Sequence, residues 1–263
     1  MDLAEDPSEF QLDPATLHLF QSYTGKEDEV ELKEYIMDVQ RRALEVHPYL
    51  CIRKFRFATL RMAAHSYYKT VLETRKASEE PLQFLDVGCC FGTDIRQLAL
   101  DGYPAEDIRG IELRPEFVQL GHELFCDTPS TFPMTIIIGN ILDSSQLSPE
   151  PSDTPAPLDN LKSQFSFVYV GSVLHLFDEP TIDLMISRLA LLTKKGGIVF
   201  GRNGGSSKPQ IRVSQTAGQN RFLHSPDSLG AVFGAHGFEG EYVAKLTTRE
   251  DGGGEWLEFR ATK

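Results

Sequence analysis

The segment 84-FLDVGCCFGTDIR-96 decides how this chain is organised. Its first four residues are apolar apart from one aspartate, which is typical of a strand buried on both faces of a parallel sheet. Gly88 and Gly92 then flank a turn, and Thr93 opens a helical segment. Because glycine has no Cβ, we expect the main-chain amides of Gly88 to Gly92 to approach a ligand closely. The segment therefore predicts a strand, a ligand-binding turn and a helix.

The turn lacks the pattern of the two common phosphate-binding loops. A dinucleotide fingerprint requires glycine at positions 88, 90 and 93, but Cys90 and Thr93 occupy the second and third of these. The chain also has no GxxxxGK followed by Ser or Thr, which a phosphate-loop NTPase needs. The sequence therefore disfavours a pyrophosphate ligand.

Two later strands end in residues that suit a nucleoside. The carboxylate of Glu112, at the end of the second strand, can accept hydrogen bonds from both ribose hydroxyls and repels a ribose phosphate. After the third strand, Asn140 can bond an adenine edge and Ile141 can cover the ring face. With the glycine turn, these residues predict an adenosine ligand without phosphates.

From Pro81 onward, short apolar runs alternate with amphipathic segments, a pattern typical of βαβ units in a doubly wound α/β sheet. The first eighty residues instead have helical patterns. We predict a helical cap at 1–80 and an α/β core at 81–263, which together form one compact unit. Strands are predicted at 83–87, 108–113, 134–138, 165–171 and 197–202, and helices at 13–25, 27–46, 93–101, 115–125 and 179–193. The run 52–74 is predicted to be mainly helical, but Phe55, Phe57 and Leu60 leave its first half ambiguous.

Two segments interrupt this alternation. Residues 144–163 contain four prolines among Ser and Asp, which predicts a surface loop. Near the end of the chain, 243–248 and 256–261 flank an Asp-Gly-Gly-Gly run at 251–254. That arrangement predicts a β-hairpin and an antiparallel finish to the sheet.

The composition disfavours several classes of function. The chain has 263 residues and a net charge of −12, which argues against a nucleic-acid binder or a polybasic membrane-surface protein. With 41% apolar residues and this length, we expect one large globular domain with a small addition. The sequence has neither a membrane-spanning apolar run nor a leader pattern, so we expect a cytoplasmic protein with no membrane insertion. The cysteines form no CxxC pair, which predicts reduced thiols and no metal site.

At these motifs the chain resembles the class I S-adenosylmethionine-dependent methyltransferases. The run 85-LDVGCCFG-92 is similar to their first cofactor motif, and Glu112 is similar to their acidic ribose ligand. A narrower resemblance is to a fungal secondary-metabolite group that includes meroterpenoid-pathway carboxyl methyltransferases. It is carried by 23-YTG-25, 47-HPYLCIRKFRF-57, 94-DIR-96, 101-DGYP-104, 175-HLFD-178 and 201-GR-202.

The resemblance implies a seven-stranded sheet ending in a β-hairpin, with the amino-terminal helices closing over S-adenosyl-L-methionine and a substrate. It also assigns the cofactor contacts. By position in the chain, these are Asp86, Gly88, Cys89 and Gly92 for the methionine side, Glu112 and Leu113 for the ribose, Asn140 and Ile141 for the adenine, Gly171 and Ser172 near the sulfonium, and Tyr23 as a cover from the cap.

The implied activity is methyl transfer to oxygen, to the carboxylate of a hydrophobic polyketide or meroterpenoid intermediate. A carboxylate is ionised at neutral pH and needs mainly positioning, whereas a phenol, with a pKa near 10, benefits from a general base. His175 is the candidate catalytic and substrate-binding residue, and the alternative is a histidine that only orders its loop. Arg202 is a candidate to pair with an acidic substrate, and the alternative is an arginine that faces outward. Phe57 is a candidate to line an apolar wall, and the alternative is a plain core residue.

Two other functions stay open from the sequence. One is a phenolic O-methyltransferase with His175 as the base, and the other is a non-catalytic binding protein on the same fold. The expected partner is a small hydrophobic acid rather than a nucleic acid or a membrane. The sequence leaves open whether the protein forms a homodimer.

Overall fold

The computed structural model of the protein describes residues 10–150, 153–213, 220–249 and 253–263. Its α-helices are α1 (Pro14–Thr24), α2 (Glu29–Val46), α3 (Leu50–Arg53), α4 (Tyr68–Ala77), α5 (Thr93–Leu100), α6 (Pro115–Leu124), α7 (Glu179–Leu192) and α8 (Pro226–Ala235). Its strands are β1 (Phe84–Val87), β2 (Ile108–Glu112), β3 (Thr135–Ile138), β4 (Phe165–Tyr169), β5 (Thr193–Gly205), β6 (Gln210–Val213), β7 (Asn220–Leu223), β8 (Tyr242–Thr248) and β9 (Glu255–Thr262).

The predicted α/β class and the seven-stranded sheet are confirmed. The strand order is β3-β2-β1-β4-β5-β9-β8, and β6 and β7 form a separate two-stranded sheet. The pairs from β3 to β5 are parallel, whereas β9 runs antiparallel to both β5 and β8. The order reverses between β1 and β4, and ligands of such sheets bind outside the strand ends at this switch point. The fold therefore places the glycine turn after β1 at the expected crevice.

The predicted strands and hairpin are present, although the details differ. Strand β5 begins four residues earlier than predicted and extends to Gly205. The hairpin consists of β8 and β9, but residues 251 and 252 of its predicted turn lie outside the described residues. Helix α8 and the β6–β7 pair were not predicted. The start of α8 does carry a signal, since Ser225 forms a capping box and Pro226 occupies the first turn.

The first two helices follow their local sequence signals. Asp13 accepts hydrogen bonds from the amides of Ala15 and Thr16, and Gly25 ends α1 with a φ of 67°. Asp28 caps α2 in the same way. The predicted bounds are therefore correct to within two residues.

The mainly helical run predicted over 52–74 is interrupted, and its ambiguous first half is not one helix. The chain forms the short α3, a 3₁₀ turn at Arg56–Ala58, an irregular stretch, and then α4. Phe55 adopts a φ of 50°, in the left-handed region, which ends any continuous helix there. Phe55 and Phe57 are each buried by this break. Burial of individual aromatic rings thus overrides the helical pattern.

The predicted surface loop at 144–163 is partly a core element. Within its described residues, Leu147, Leu158 and Leu161 are buried in the main hydrophobic cluster. The carboxylate of Asp159 accepts hydrogen bonds from the amides of Ser148 and Ala156, which fixes the path of the chain. The prolines exclude long helices and strands here, but they do not prevent burial of the leucines on either side of them.

Three hydrophobic clusters position the strand ends. One lies between the sheet and α7 and α8, and another lies on the opposite face beneath α4 and α5. A third joins the amino-terminal helices to Phe91 and Phe117, and it includes a stacked pair of Phe20 and Phe125 with ring centroids 5.0 Å apart. The division into a cap at 1–80 and a core at 81–263 stays a prediction, but the two regions share this cluster.

Among the residues described, no helix combines the length and apolar character that crossing a bilayer requires. Over the same ranges, His, Cys, Asp and Glu side chains do not gather into a group of three that could hold a metal ion.

Candidate functional site

The turn after β1 has the backbone conformation that its glycines permit. The φ angles of Gly88, Cys90 and Gly92 are 77°, 55° and 73°, all in the left-handed region. A Cβ on Gly88 would lie 2.8 Å from a methyl group of Val173, so substitution there would displace the loop after β4. The turn is therefore tightly packed against the loop after β4.

The prediction that the turn amides face a ligand needs correction. The amides of Gly88 and Cys89 both donate to the carbonyl of Ile111, at 2.8 and 3.2 Å, and the amide of Gly92 donates to the carbonyl of Cys89 at 2.8 Å. The side chain of Cys89 lies against Gly110. These amides therefore hold the turn to β2, and Cys89 can meet a ligand only through its main chain.

Glu112 is the best-defined polar group at the strand ends. Its carboxylate is 7% exposed and accepts hydrogen bonds from the amides of Cys90 (2.9 Å) and Arg114 (3.0 Å). Burial raises the pKa of Glu112, and these amide bonds oppose the rise. The acid is thus held rigidly beside the turn, and each oxygen keeps a second lone pair for a ligand.

Two further acids are buried close to the turn. Asp86 is 3% exposed, and the described residues provide its carboxylate with neither a hydrogen-bond donor nor an ion-pair partner. Burial raises its pKa well above the ordinary value, and the charges of Asp94 and Glu112 add to the effect. Burial also raises the pKa of Asp94 to about 6, although the amide of Met62 donates to it at 2.9 Å. This acidic pocket suits a cationic group.

The residues predicted to contact the ribose and the adenine differ in their placement. Leu113, a predicted ribose contact, is 52% exposed, whereas Ile141, a predicted adenine contact, is 4% exposed and belongs to the core cluster. The side-chain oxygen of Asn140 accepts a hydrogen bond from the amide of Leu142 at 3.0 Å, which leaves its NH2 group as the donor for a ligand. Ile141 is thus mainly a core residue, which its position after a strand did not reveal.

The loop after β4 is held by a residue that the sequence did not single out. Asn203 on β5 is 2% exposed, and its side-chain oxygen accepts from the amides of Val173 (2.8 Å) and Leu174 (2.9 Å). Its NH2 group donates to the carbonyl of Val170 at 2.8 Å. Ser172, with a φ of 58°, donates its amide to the carbonyl of Arg202 at 2.9 Å. Asn203 therefore positions the segment that carries Gly171, Ser172 and His175.

His175 has a defined tautomer in this loop. Its Nδ1 accepts a hydrogen bond from the amide of Gly204 at 3.1 Å, so in the neutral ring the proton is on Nε2. Burial lowers the pKa of His175 to about 3, and the positive charge of Arg249 adds to the effect. At neutral pH the ring is therefore a hydrogen-bond donor through Nε2 and not a free base.

The two predicted contacts from the cap lie in packed surroundings. The hydroxyl of Tyr23 donates to the carbonyl of Arg96 at 3.2 Å, and its ring meets Phe125 edge-on. Phe57 is 6% exposed and its ring packs edge-on against Phe91, with centroids 4.9 Å apart. The structure thus brings Asp86 and Glu112 together at the turn. It places His175 and Arg202 together at the loop after β4. Tyr23 and Phe57 lie in the interface of cap and core.

Three polar residues near these groups were missed by sequence reasoning. Tyr169, at the end of β4, is 2% exposed, and Trp256 on β9 lies 5.1 Å from the guanidinium carbon of Arg202. Arg61 precedes the Met62 amide that bonds Asp94. No periodicity marks Arg61, and a tyrosine and a tryptophan in strands are usually core residues. Only the folded chain shows that they gather at one end of the sheet.

Comparisons with known proteins show which proteins this chain is similar to. Residues 4–58 match the family model described as "Meroterpenoid methyltransferase N-terminal domain". The chain is 32% identical over 197 residues to O-methyltransferase atr3 of Stereocaulon alpinum, covering 74% of this chain and 53% of the relative. It is 34% identical over 165 residues to methyltransferase adrK of Penicillium roqueforti, covering 62% and 55%. The chain thus spans little more than half the length of these relatives.

A solved structure of similar fold is the Burkholderia thailandensis 1,6-didemethyltoxoflavin-N1-methyltransferase, with a TM-score of 0.56, 13% identity, and coverage of 86% of this chain and 88% of that one. This chain has the class I methyltransferase fold. The CMeT domain of the citrinin polyketide synthase is also similar, with a TM-score of 0.52, 14% identity, and coverage of 74% and 50%. The sequence resemblance to fungal secondary-metabolite methyltransferases is likewise confirmed.

Proposed function

We propose that this chain is an S-adenosylmethionine-dependent O-methyltransferase that forms a methyl ester on the carboxylate of a hydrophobic polyketide or meroterpenoid intermediate. The observation that carries the cofactor assignment is the pair of buried acids at the strand ends. Glu112 is held by two amides beside the turn, and Asp86 has no cationic partner among the described side chains. A nucleoside with a positively charged tail satisfies both.

The residues present fit this cofactor. Glu112 would accept the ribose hydroxyls, and Asp86 would neutralise the ammonium group of the methionine portion. The NH2 group of Asn140 is available to an adenine ring nitrogen. Bound S-adenosylmethionine supplies a methyl group activated by its sulfonium sulfur. The chain's own task is then to bind, align and exclude water.

The state of His175 favours a carboxylate acceptor over a phenol. A phenol has a pKa near 10 and needs a base, but the Nδ1 lone pair of His175 is used by the Gly204 amide, and the pKa of the ring is about 3. The remaining Nε2–H can donate to a carboxylate oxygen and orient it. The alternative role of His175 as a general base is therefore the less favoured one.

Two comparisons support the acceptor atom and the class of substrate. The relative from Stereocaulon alpinum is named an O-methyltransferase, and the matching family model is described as meroterpenoid. Next to the turn after β1, the rings of Phe57 and Phe91 pack edge-on and make the interface of cap and core apolar. We extend oxygen transfer and a hydrophobic substrate to this chain on these grounds.

Calorimetry tests the cofactor assignment. The chain should bind S-adenosylhomocysteine and should not bind NAD, because Cys90 and Thr93 replace two glycines of the dinucleotide fingerprint. Tight NAD binding without S-adenosylhomocysteine binding would overturn the proposal. Binding without turnover on any acceptor would instead favour the non-catalytic alternative.

A labelled-methyl assay tests the acceptor. The chain is incubated with labelled S-adenosylmethionine and with a matched hydrophobic carboxylic acid or phenol. A product whose label is released by mild base is a methyl ester and supports the proposal, whereas a base-stable aryl ether supports the phenolic alternative. If the acceptor is a phenol and His175 is its base, the His175→Ala variant should abolish methylation, whereas with a carboxylate acceptor the variant should mainly raise KM.

A further inference from the structure

Three buried hydrogen-bond donors at the crevice lack an acceptor. They are the hydroxyl of Tyr169, the Nη2 atom of Arg61 and the Nε atom of Arg202, and none has a partner among the described residues. We call these three side chains the donor cluster. A buried donor without a partner is costly, so such atoms are rare in folded proteins unless a ligand satisfies them.

The strand register places two members of the donor cluster on one face of the sheet. Tyr169 on β4 pairs with Phe200 on β5, and their ring centroids are 5.2 Å apart. Arg202 follows Phe200 by two residues, so its side chain extends from the same face. A Cβ on Gly171 would lie 2.3 Å from the Tyr169 hydroxyl, which places that hydroxyl directly beside the loop after β4.

Arg61 approaches this face from the loop before α4. Its neighbour Met62 donates its amide to Asp94 at the start of α5, which fixes the loop over the strand ends. The charges of Arg61 and Arg202 both lower the pKa of Tyr169, although burial raises it overall. Both guanidinium groups are therefore within electrostatic reach of the hydroxyl. The described residues form no ion pair with either arginine.

The neighbouring groups restrict which anion can bind. Asp86 and Asp94 lie near Tyr169 and raise its pKa through their negative charge. Two nearby acids would repel a phosphate dianion more strongly than a monoanion. Two guanidinium groups and a hydroxyl match the donors that a single carboxylate accepts. The remaining acid on this face of β9, Glu258, is already bonded to Ser66 (2.6 Å) and Lys245 (3.0 Å).

We infer that Tyr169, Arg61 and Arg202 form a carboxylate-binding subsite. The inference rests on the proposed function, which offers two carboxylates at this place: that of the methionine portion of the cofactor, and that of the methyl acceptor. Both have the same chemistry, and the experiment below separates them.

Trp256 makes the subsite directly observable. It is the only tryptophan of the chain, and its ring lies 5.1 Å from the guanidinium carbon of Arg202. Its fluorescence is titrated with cyclohexanecarboxylate, and with cyclohexanecarboxamide as the uncharged control. In parallel, calorimetry compares S-adenosylhomocysteine with methylthioadenosine, which lacks the carboxylate.

The variants are Tyr169→Phe, Arg61→Gln and Arg202→Gln. Each should weaken binding of one carboxylate by about tenfold or more, because a hydrogen bond to a charged group is lost. Weaker binding of S-adenosylhomocysteine with unchanged methylthioadenosine identifies the methionine carboxylate. A weakened fluorescence response to cyclohexanecarboxylate identifies the acceptor. Affinities within about twofold of wild type for both carboxylates overturn the inference, as does a wild-type protein that responds to neither.

Matched controls separate binding from folding. Tyr169→Phe removes a hydroxyl without a partner, so the melting temperature of the free protein should stay the same or rise. Tyr242→Phe removes a hydroxyl that donates to the carbonyl of Pro226 at 2.8 Å, so it should lower the melting temperature without affecting either carboxylate. Arg212→Gln removes the same charge from the exposed β6 and should leave both affinities unchanged.

The two claims can fail independently. If wild type binds cyclohexanecarboxylate through the donor cluster but does not bind S-adenosylhomocysteine, the proposed function is overturned and the subsite stands. If wild type binds S-adenosylhomocysteine and methylates a carboxylic acid while all three variants behave like wild type, the function stands and the subsite is overturned.

Discussion

Glu112 and Asp86 are both buried acids, but they differ in their partners. The two amides that bond to Glu112 fix its carboxylate in place, whereas the carboxylate of Asp86 has no cationic partner among the described residues. Rigid placement before binding reduces the entropy lost when a ligand arrives. In the proposed function, one acid would accept the ribose and the other would neutralise the cationic tail of the cofactor.

Replacing Glu112 tests the proposed ribose contact. The Glu112→Gln variant keeps the shape of the side chain but loses the charge and one acceptor, so S-adenosylhomocysteine should bind about tenfold more weakly or worse. Calorimetry measures the change, and Glu106→Gln on the exposed surface is the control. If Glu112→Gln binds as wild type does, the ribose assignment is wrong.

His175 should make stability depend on pH in a defined window. The folded ring has a pKa of about 3 and the unfolded one about 6.5, so between these values the unfolded state binds more protons. The free energy of unfolding should therefore fall as pH is lowered from 6.5 towards 3. Urea titrations should show a smaller fall in His175→Gln, which cannot titrate. Parallel curves for the two proteins would contradict the assigned burial of the ring.

At the scale of single elements, helix α6 depends on one close approach. Gly121 lies where a Cβ would be 2.5 Å from the carbonyl oxygen of Phe91, in the glycine turn. This contact is between backbones, so neither side can yield by rotating a side chain. Helix α6 therefore braces the turn from outside, in addition to the amides that hold the turn to β2.

A pair of glycine substitutions tests this contact. Gly121→Ala should lower the free energy of unfolding by about 1–3 kcal/mol, because the added methyl group overpacks the turn. Gly234 in α8 has nothing within 4 Å of its Cβ position, so Gly234→Ala should stabilise the protein by about 0.5–1 kcal/mol. Urea denaturation measures both. The same sign for both variants would show that α6 does not brace the turn.

At the scale of the whole molecule, cap and core are joined by shared burial. Phe20 on α1 is fully buried and stacks on Phe125, which follows α6. Arg42 on α2 also forms an ion pair with Glu123 on α6 at 2.5 Å. Separating the two regions would expose the aromatic cluster to water. We therefore expect them to unfold together.

Replacing Phe20 tests that expectation. Phe20→Ala should cost about 3–5 kcal/mol and should lower the urea midpoint reported by Trp256, which lies on β9 in the core. Circular dichroism should give the same midpoint as the fluorescence. Leu100→Ala, at a position that is 40% exposed, is the control with little expected effect. An early loss of helix with an unchanged Trp256 transition would mean that the cap folds separately.

Local sequence was sufficient for elements that depend on neighbouring residues. Asp13, Pro14 and Gly25 define α1 because capping and φ preferences act within a few residues. The break in the run 52–74 could not be predicted locally. Phe55 adopts a left-handed φ, and its ring packs in a cluster with aromatic residues that are distant in the chain. The burial of Ile141 could not be predicted for a similar reason, since its cluster includes Leu147 and Leu158, which lie in a segment that proline content suggested was exposed.

The sequence by itself determined the α/β class, the glycine turn after a buried strand and the acid at the end of the next one, because these are set by periodicity and by residues close in the chain. Only the tertiary structure decided which polar atoms meet. Tyr169, Arg61 and Arg202 come from three distant segments, and Asn203 reaches across from β5 to hold the loop of His175. Strand register and burial fix such encounters, and neither is encoded by the spacing of residues along the chain.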